Sequence, residues 1–273
     1  MEEIKKGAIT ILIPTYNCVD YLAGCLDSIL AQTYEFYKVL IFDDRSLDGT
    51  NVVVQDYVRK YPDKIQGIEN WGDKRWNGGA RNKLVYEMKR MGLDSEYILF
   101  MDGDDKFVDN TVLSRVWDVV IENAVPDVVR LSYTKKNPDG IITKIIKDSN
   151  PAEMAHNSKV APWTKLLRTK LFVPFPENTL FEDVTQHIAQ SDVVETVVST
   201  DFPVIEWNRC NAHSVSTEIS PKRMSSAFRF VADLMDLKLT KEYTEERRAV
   251  KIRDACNNLG IDFDHIDWKK VCC

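Results

Sequence analysis

The sequence predicts an α/β fold in which a mostly parallel sheet carries helices on both faces. The main observation is that short apolar runs, typical of buried strands, alternate with runs whose apolar residues recur at helical spacing. Such alternation is typical of parallel strands joined by right-handed helical crossovers. The second observation is size and composition. The chain has 273 residues, 44% hydrophobic and 29% charged, enough for one large domain or one domain with an appendage.

Four strand-like runs alternate with four helix-like runs in the first half of the chain. The strand-like runs are apolar, although the third is weaker than the others. Pro62 stops the second helix, Gly92 is a C-cap for the third, and Asn110 is an N-cap for the fourth. The predicted strands are residues 9–13, 37–42, 65–69 and 97–101, and the predicted helices are residues 21–30, 50–61, 78–91 and 110–123.

The pattern changes in the second half. The turn sequence Asn-Pro-Asp-Gly at 137–140 lies between apolar runs at 128–134 and 141–146, which predicts a β-hairpin. Residues 149–200 contain prolines that break any long element, so we expect this stretch to be irregular.

Helical spacing returns from Pro221 onward. An apolar stripe there predicts a helix packed on the main domain, with a dimer or membrane-surface contact as the alternative. The stripe consists of Ala227, Phe228, Val231, Leu234 and Met235. We therefore expect a main domain over residues 1–218, with halves at 1–125 and 126–218, and a C-terminal helical extension over 219–273.

Charge and composition exclude several classes of protein. Lys and Arg total 36 against 42 Asp and Glu, a net charge of −6, which argues against a non-specific nucleic-acid binder. No apolar run approaches the roughly 20 residues that span a bilayer, and the N-terminus lacks a signal-peptide core. The six cysteines lack the spacing of a zinc site or a disulfide framework. We expect a cytoplasmic protein with reduced thiols, in which any membrane contact is peripheral, at the inner face.

Acidic residues follow the second and fourth predicted strands. Ligands of open α/β sheets bind beyond the carboxyl ends of the strands, and acids crowded there repel each other unless a cation lies between them. A divalent ion such as Mn²⁺ or Mg²⁺ is the natural partner. Capping of the next helix is the alternative for Asp43 and Asp48. The acids that concern the site are Asp43, Asp44, Asp102, Asp104 and Asp105. No Gly-x-Gly-x-x-Gly and no Gly-Lys-Ser/Thr motif follows the first strand, which argues against a dehydrogenase or a P-loop NTPase.

Eight motifs follow one another along the chain. They are 11–17 (ILIPTYN), 28–33 (SILAQT), 43–50 (DDRSLDGT), 79–82 (GARN), 97–105 (YILFMDGDD), 163–166 (WTKL), 181–183 (FED), and Arg209 with 214–216 (SVS). In this order they resemble the motifs of family 2 glycosyltransferases with the GT-A fold, a Rossmann-like sheet. The resemblance covers roughly residues 8–217, and the order of the motifs is more specific than any one of them.

The resemblance implies roles for individual residues. The nucleotide-sugar site would comprise Pro14, Thr15, Tyr16, Asp44, Arg81, Asp102, Gly103 and Asp104. Asp183 matches the catalytic base, although Glu182 and Asp183 could instead cap a helix at 184–189. The metal site would comprise Asp104, Asp105 and His213, with the direct ligand among Asp102, Asp104 and Asp105 left open. Lys165 and Arg209 would meet phosphate or pair with surface acids. The loop at 71–78 is longer than the family's usual spacing, and would be a donor-site lid or an exposed loop.

The resemblance also implies the reaction. A sugar would pass from a nucleotide diphosphate sugar, commonly a UDP-sugar, to an acceptor hydroxyl by metal-assisted single displacement with inversion. The acceptor would be a carbohydrate or glycoconjugate, as in polysaccharide biosynthesis; the motifs specify neither the donor sugar nor the acceptor. The alternatives are a sugar-phosphate nucleotidyltransferase, which would want a Gly-rich loop after the first strand, and a non-catalytic nucleotide-sugar-binding protein.

Overall fold

The computed structural model describes residues 8–258, apart from residues 74, 94, 178, 180 and 211–229. Within these residues nine strands join in one sheet. The strands are β1 (Ile9–Thr15), β2 (Tyr37–Asp43), β3 (Ile65–Glu69), β4 (Tyr97–Phe100), β5 (Lys106–Phe107), β6 (Val128–Asn137), β7 (Gly140–Lys144), β8 (Lys165–Arg168) and β9 (Val197–Asn208). The helices are α1 (Val19–Leu30), α2 (Thr50–Lys60), α3 (Trp76–Arg90), α4 (Val112–Glu122), α5 (Pro151–His156), α6 (Glu182–Val193), α7 (its described residues are 230–235) and α8 (Glu242–Asn258).

The sheet confirms the predicted α/β class. Its strand order is β3-β2-β1-β4-β8-β6-β9-β5, with β7 paired to β6. Strands β1 to β4 pair in parallel, as the strand and helix alternation predicts. The second half is mixed, because β8 lies antiparallel between β4 and β6 while β9 is parallel to β6. Strand β8 therefore joins the two halves into one continuous sheet.

Helices cover both faces of the sheet because the strand residues alternate between them. Along β1, Ile9, Ile11 and Ile13 pack in one core with α1, α2 and α4. Leu12, between them, belongs to a second core with α3 and α5. The carboxyl ends of β1, β2 and β4 therefore meet at one edge of the sheet, between these two helical layers.

The predicted start of the fourth helix is wrong. Helix α4 begins at Val112, and the Asn110 side chain does not cap it. The Asp109 carboxylate instead accepts hydrogen bonds from the Thr111 backbone N–H (2.8 Å) and hydroxyl (2.7 Å). A local Asp-x-Thr turn thus takes the place of the expected cap and moves the helix start by two residues.

The prediction of an irregular stretch at 149–200 is also wrong, because α5, β8 and α6 lie within it and β9 begins there. Two of its prolines begin elements rather than break them. Pro151 occupies the first turn of α5, which Asn150 caps by accepting the Glu153 N–H at 2.9 Å, and Pro162 opens a 3₁₀ turn. The hairpin is confirmed: β6 and β7 pair antiparallel up to Asn137 and Gly140.

The described part of the C-terminal extension consists of α7 and α8 with a short connection between them, and it packs on α6. Ile188 of α6 shares a buried apolar cluster with Val231 and Leu234 of α7 and with Ile252 of α8. Within the described residues, no helix is long and apolar enough to cross a membrane, and Cys18, Cys25, Cys210 and Cys256 are free thiols. Ala227 and Phe228 of the predicted stripe lie outside the described residues.

Candidate functional site

The ends of β1, β2 and β4 are in direct contact. The Asp44 N–H donates to the Thr15 carbonyl (2.9 Å), and the Thr15 hydroxyl donates to the Asp43 carboxylate (3.2 Å). A Cβ atom on Gly103 would lie 3.0 Å from Cys18 Sγ and 3.3 Å from Thr15 Cγ2. The turn after β4 therefore lies against the end of β1 at a distance that suits glycine. The Asp48 carboxylate accepts the N–H of Thr50, the first residue of α2, at 2.9 Å, as the capping interpretation predicts.

Asp44 is buried and binds the loop before α3. Its carboxylate accepts the backbone N–H groups of Arg75 (2.9 Å) and Trp76 (3.0 Å) and the Asn70 side-chain amide (2.7 Å). These N–H groups belong to the open first turn of α3, so Asp44, the residue directly after β2, caps that helix. The segment at 71–78, whose last three residues belong to α3, is thereby tied to the strand-end site, although Trp71 within it is 88% exposed.

Removing the Asp44 carboxylate should therefore destabilise the fold. We expect Asp44→Ala to lower the free energy of unfolding by about 1–2 kcal/mol, the usual loss for a helix cap. Urea unfolding measures this, with Asp56→Ala as control, because Asp56 is an exposed acid within α2 that pairs with the likewise exposed Arg59. Equal losses in the two variants would contradict the capping role.

Arg81 joins two groups of acids. Its guanidinium donates to Asp102 Oδ1 (2.9 Å) and to Glu182 Oε1 (3.0 Å), and its side chain is 5% exposed. Burial alone would lower the pKa of Arg81, but the carboxylates of Asp102 and Glu182 outweigh it, and the pKa is raised. A single buried cation thus links the turn after β4 to the start of α6. The sequence-based interpretation of Glu182 as a helix cap missed this partner.

The Gly-Gly-Ala-Arg-Asn segment at 78–82 holds the chain that leads to Glu182. A Cβ atom on Gly78 would overlap the carbonyl oxygen of Pro176 and lie 3.2 Å from Glu182 Cγ. The Asn82 side chain accepts the Phe175 N–H (2.8 Å) and donates to the Phe175 carbonyl (2.9 Å). The small residue and the amide thus position the segment from which α6 starts.

Glu182 and Asp183 form the first turn of α6, where two acids are favoured by the helix dipole. Burial raises the pKa of Glu182 to about 7, against the opposing charge of Arg81. Burial also raises the pKa of Asp183, while Arg81 and Lys165 oppose the rise. Asp183 Oδ1 accepts the Val184 N–H at 2.9 Å, and its side chain is more exposed than that of Glu182. Asp183 is therefore better placed to exchange a proton with a ligand.

A buried lysine and histidine lie beneath these acids. Lys165 Nζ donates to the Val160 carbonyl (2.8 Å) and lies 3.0 Å from His187 Nδ1, while His187 Nε2 lies 2.8 Å from the Met154 carbonyl. Because a carbonyl only accepts, Nε2 carries the imidazole proton and Nδ1 accepts from Lys165. Burial lowers the pKa of both groups well below their usual values.

The expectation that Lys165 pairs with surface acids is therefore wrong, whereas its role as a phosphate ligand stays a prediction. The sequence did contain a signal for the position of His187. It lies four residues after Asp183, and residues at this spacing share one face of a helix.

Asp105 is the acid whose environment best suits a metal ion. Its side chain is 1% exposed, Oδ1 accepts the Asn208 N–H (2.9 Å), and Oδ2 has no hydrogen-bond partner among the described residues. Burial, then the charges of Asp102 and Asp104, raise the pKa of Asp105 well above its usual value. A buried carboxylate oxygen without a partner, beside two further carboxylates, fits a divalent cation.

The described residues would supply only part of a metal site. Among them, no group of three or more His, Cys, Asp or Glu side chains is arranged to hold a metal ion. His213, the remaining predicted ligand, lies outside the described residues.

The aromatic residues of the motifs near the strand ends differ in exposure. Trp163 packs in the core against Tyr133 (ring centroids 5.0 Å apart), whereas Trp76 is 44% exposed. Tyr16 is 43% exposed at the end of β1.

Comparison with known proteins identifies the family. Residues 10–189 match the model of Glycosyl transferase family 2. The chain belongs to this family. It is therefore a glycosyltransferase, as the order of its motifs predicts.

Individual relatives agree with this assignment. The glycosyltransferase is 30% identical to Uncharacterized glycosyltransferase MG025 of Mycoplasma genitalium, over 74% of this chain and 68% of the relative. It is 25% identical to Glycosyltransferase GlyG of Streptococcus pneumoniae, over 94% of this chain and 96% of the relative. The crystal structure of S. aureus TarS 1–349 in complex with UDP-GlcNAc matches it with a TM-score of 0.74 at 19% identity, covering 94% of this chain and 77% of that one. The expected GT-A fold is confirmed.

Proposed function

We propose that this glycosyltransferase moves a sugar from a nucleotide diphosphate sugar, first of all a UDP-sugar, to a hydroxyl group of a carbohydrate or glycoconjugate acceptor, with inversion. The observation that carries the proposal is the chain of contacts from Asp102 through Arg81 to Glu182, next to Asp183. It connects Asp102, an expected donor-binding acid, to the start of α6, where the expected base Asp183 follows Glu182. The UDP-GlcNAc complex of TarS, a protein of the same fold, supports the choice of UDP.

The donor would lie along the strand ends of the first half, 1–125, and the acceptor against the second half, 126–218. The nucleoside would pack beside the β1 end and Asp44, while the turn after β4 would meet the ribose and the diphosphate. The residues in this role are Pro14, Thr15, Tyr16, Asp44, Arg81, Asp102, Gly103 and Asp104. The sheet supports this arrangement, because β2 and β4 both pair in parallel with β1 and so bring Asp44 and Asp102 to the same edge.

Asp183 would act as general base. Its carboxylate takes the proton of the acceptor hydroxyl while the hydroxyl oxygen forms a bond to the anomeric carbon. The bond from that carbon to the diphosphate oxygen breaks, and its electron pair leaves with the nucleoside diphosphate. Attack from the side opposite the leaving group inverts the anomeric centre. Arg81, which pairs with both Asp102 and Glu182, would hold the turn after β4 and the start of α6 at a fixed distance from each other.

A bound Mn²⁺ or Mg²⁺ would stabilise the negative charge of the departing diphosphate. Asp104 and Asp105 would hold this ion together with His213. The buried, unpartnered oxygen of Asp105 supports this assignment.

Nucleotide binding tests the donor class directly. We expect UDP with Mn²⁺ to raise the melting temperature by about 5–10 °C near saturation, since binding at a hundredfold excess over Kd adds about 2.7 kcal/mol to stability. GDP, CDP and dTDP, each with and without Mn²⁺, are the comparison ligands, and calorimetry measures Kd.

The matched variants are Asp104→Asn and Asp56→Asn, which remove one negative charge each. Asp104→Asn should abolish the part of the shift that depends on metal, and Asp56→Asn should leave it unchanged. If only another nucleotide raises the melting temperature, that nucleotide replaces UDP in the proposed donor. If no nucleotide raises it, the proposal is overturned.

A further inference from the structure

Phe181, the residue directly before the Glu182-Asp183 pair, has a strained backbone. Its φ is +65°, in the left-handed region that bulky side chains rarely adopt. This conformation lets its carbonyl accept the Val184 N–H at 3.0 Å and begin the first turn of α6. Strained residues persist where the surrounding structure holds them, and they cluster at active sites. The orientation of the first turn of α6 therefore depends on what holds Phe181.

The contact that holds the Phe181 ring comes from the C-terminal extension. The ring of Phe230, in α7, packs against that of Phe181 with centroids 5.5 Å apart at 56°. Phe230 is 6% exposed, whereas Phe181 is 47% exposed. The extension thus covers one side of Phe181 and leaves its other side open. Aromatic pairs in such geometry add to the stability that burial alone provides.

The extension is itself fixed to the opposite end of α6. The Asp192 carboxylate accepts the backbone N–H groups of Thr240 (2.9 Å) and Lys241 (2.9 Å) and the Thr244 hydroxyl (2.6 Å), and so caps the start of α8. The apolar cluster around Leu234 fills the space between. Helix α6 is therefore held at both ends by the extension.

A second observation links the extension to the site. Burial and Arg247 lower the pKa of Lys251, in α8, and the charges of Asp254 and Asp183 oppose that change. Helix α8 thus brings a cation within electrostatic reach of Asp183. Neither this helix nor α7 lies in the residues that match the family model, which end at 189.

We propose that Phe230 is a positioning residue for sugar transfer: its ring holds Phe181, and through it the Asp183 carboxylate, in the orientation that the acceptor requires. The inference rests on the proposed role of Asp183. Phe230 then connects the C-terminal extension to the active site.

Enzyme kinetics on the full chain test this inference. Hydrolysis of UDP-GlcNAc and UDP-glucose, measured as release of UDP, serves as the probe because water replaces the acceptor. Phe230→Ala should lower kcat about 10- to 100-fold with the donor KM unchanged, since small misplacements of a reacting group have effects of this size. Ile252→Ala is the matched control, because Ile252 is equally buried in the same cluster. It should lower the melting temperature as Phe230→Ala does and leave kcat unchanged.

A double-mutant cycle separates positioning from general destabilisation. If Phe230 acts through Phe181, the kcat of Phe181→Ala/Phe230→Ala should equal that of the lower single variant. Losses that multiply, or an equal kcat loss in Ile252→Ala, would overturn the inference. If an alanine variant does not fold, Phe230→Leu and Ile252→Val make the same comparison.

Hydrogen exchange gives a readout that needs no activity. Phe230→Ala should raise amide exchange at residues 182–185, whereas Ile252→Ala should raise it in α8 only. Unchanged exchange at 182–185 would contradict the inference. Full activity in Asp183→Asn would contradict the proposed function instead, while the coupling between Phe181 and Phe230 would remain measurable.

Discussion

Asp183→Asn should lower kcat about 10²- to 10⁴-fold, the usual contribution of a general base. A carboxamide keeps the size of the side chain and can still accept the Val184 N–H at 2.9 Å, but it cannot take the acceptor proton. The fold and the donor affinity should therefore be retained. The release of UDP from UDP-GlcNAc and UDP-glucose measures kcat, and calorimetry with UDP measures donor binding.

The neighbouring acid provides the sharpest comparison. Glu182 is as close to the site, but its carboxylate is bound to Arg81 at 3.0 Å, so Glu182→Gln should act mainly through the ion pair and lower stability. Asp20→Asn makes the same chemical change in the first turn of α1, on an exposed residue, and should leave kcat unchanged. A full loss of kcat in Glu182→Gln, with normal kcat in Asp183→Asn, would assign the base to Glu182.

The pH profile adds a second test of the base. Burial raises the pKa of Asp183, and the charges of Arg81 and Lys165 only partly oppose it. The carboxylate form, which the reaction needs, is therefore lost at a higher pH than for an exposed aspartate. We expect kcat of the wild type to fall on the acid side in a range above the ordinary Asp pKa of 3.8.

Local pattern was sufficient to predict strands β1 to β4 and helices α1 to α4 in the first half of the fold, although not strand β5. Residues such as Ile11 and Leu12 alternate between two cores, and the spacing of Leu22, Leu26 and Ile29 marks a helix without reference to any distant residue. The second half depends on distant contacts. Strand β8 begins with Lys165, whose amine is accommodated by His187 and the Val160 carbonyl. Periodicity does not reveal such a partner, so the strand was missed.

The candidate site likewise has a part that local sequence predicts and a part that depends on distant contacts. The strand-end acids were predictable, because strand ends and acids are both visible in the sequence. The ion pair of Arg81 with Glu182 joins residues 101 positions apart, and no local pattern predicts it. The positive φ of Phe181 and the contact of its ring with Phe230 were also not predictable, since the two residues are distant in the sequence. The acids at the strand ends could thus be predicted from the sequence, whereas the contacts that position helix α6 beside them could not.

The second large effect is expected from Arg81→Met, which leaves two acids without their shared cation. Removing one partner of a buried ion pair typically costs about 3–5 kcal/mol, because the remaining charge stays buried without compensation. The guanidinium of Arg81 is 5% exposed and the side chain of Glu182 is 9% exposed, so solvent screens this pair little. Urea unfolding should show a loss of this size.

The controls separate burial from charge. Arg168→Met removes an arginine paired with Glu96 at 3.1 Å, but both side chains are partly exposed, at 23% and 38%, so the expected loss is only about 0–1 kcal/mol. Arg81→Met/Glu182→Gln removes one of the stranded charges and should recover part of the stability. If Arg81→Met unfolds, this double variant keeps the comparison measurable. Equal losses in Arg81→Met and Arg168→Met would show that the network contributes nothing beyond a surface pair.

The pH dependence of the Arg81→Met effect has a definite sign. In the wild type, burial raises the pKa of Glu182 from 4.5 to about 7, although Arg81 opposes the rise. The folded protein thus binds more protons at Glu182 than the unfolded chain between these values, and stability from this group falls as the pH rises through the window. Without Arg81 the pKa of Glu182 rises further, and the pH range over which stability falls extends to higher pH. The loss in Arg81→Met should therefore be larger at pH 8 than at pH 5, and a loss independent of pH would contradict the assignment of Glu182 as the stranded charge.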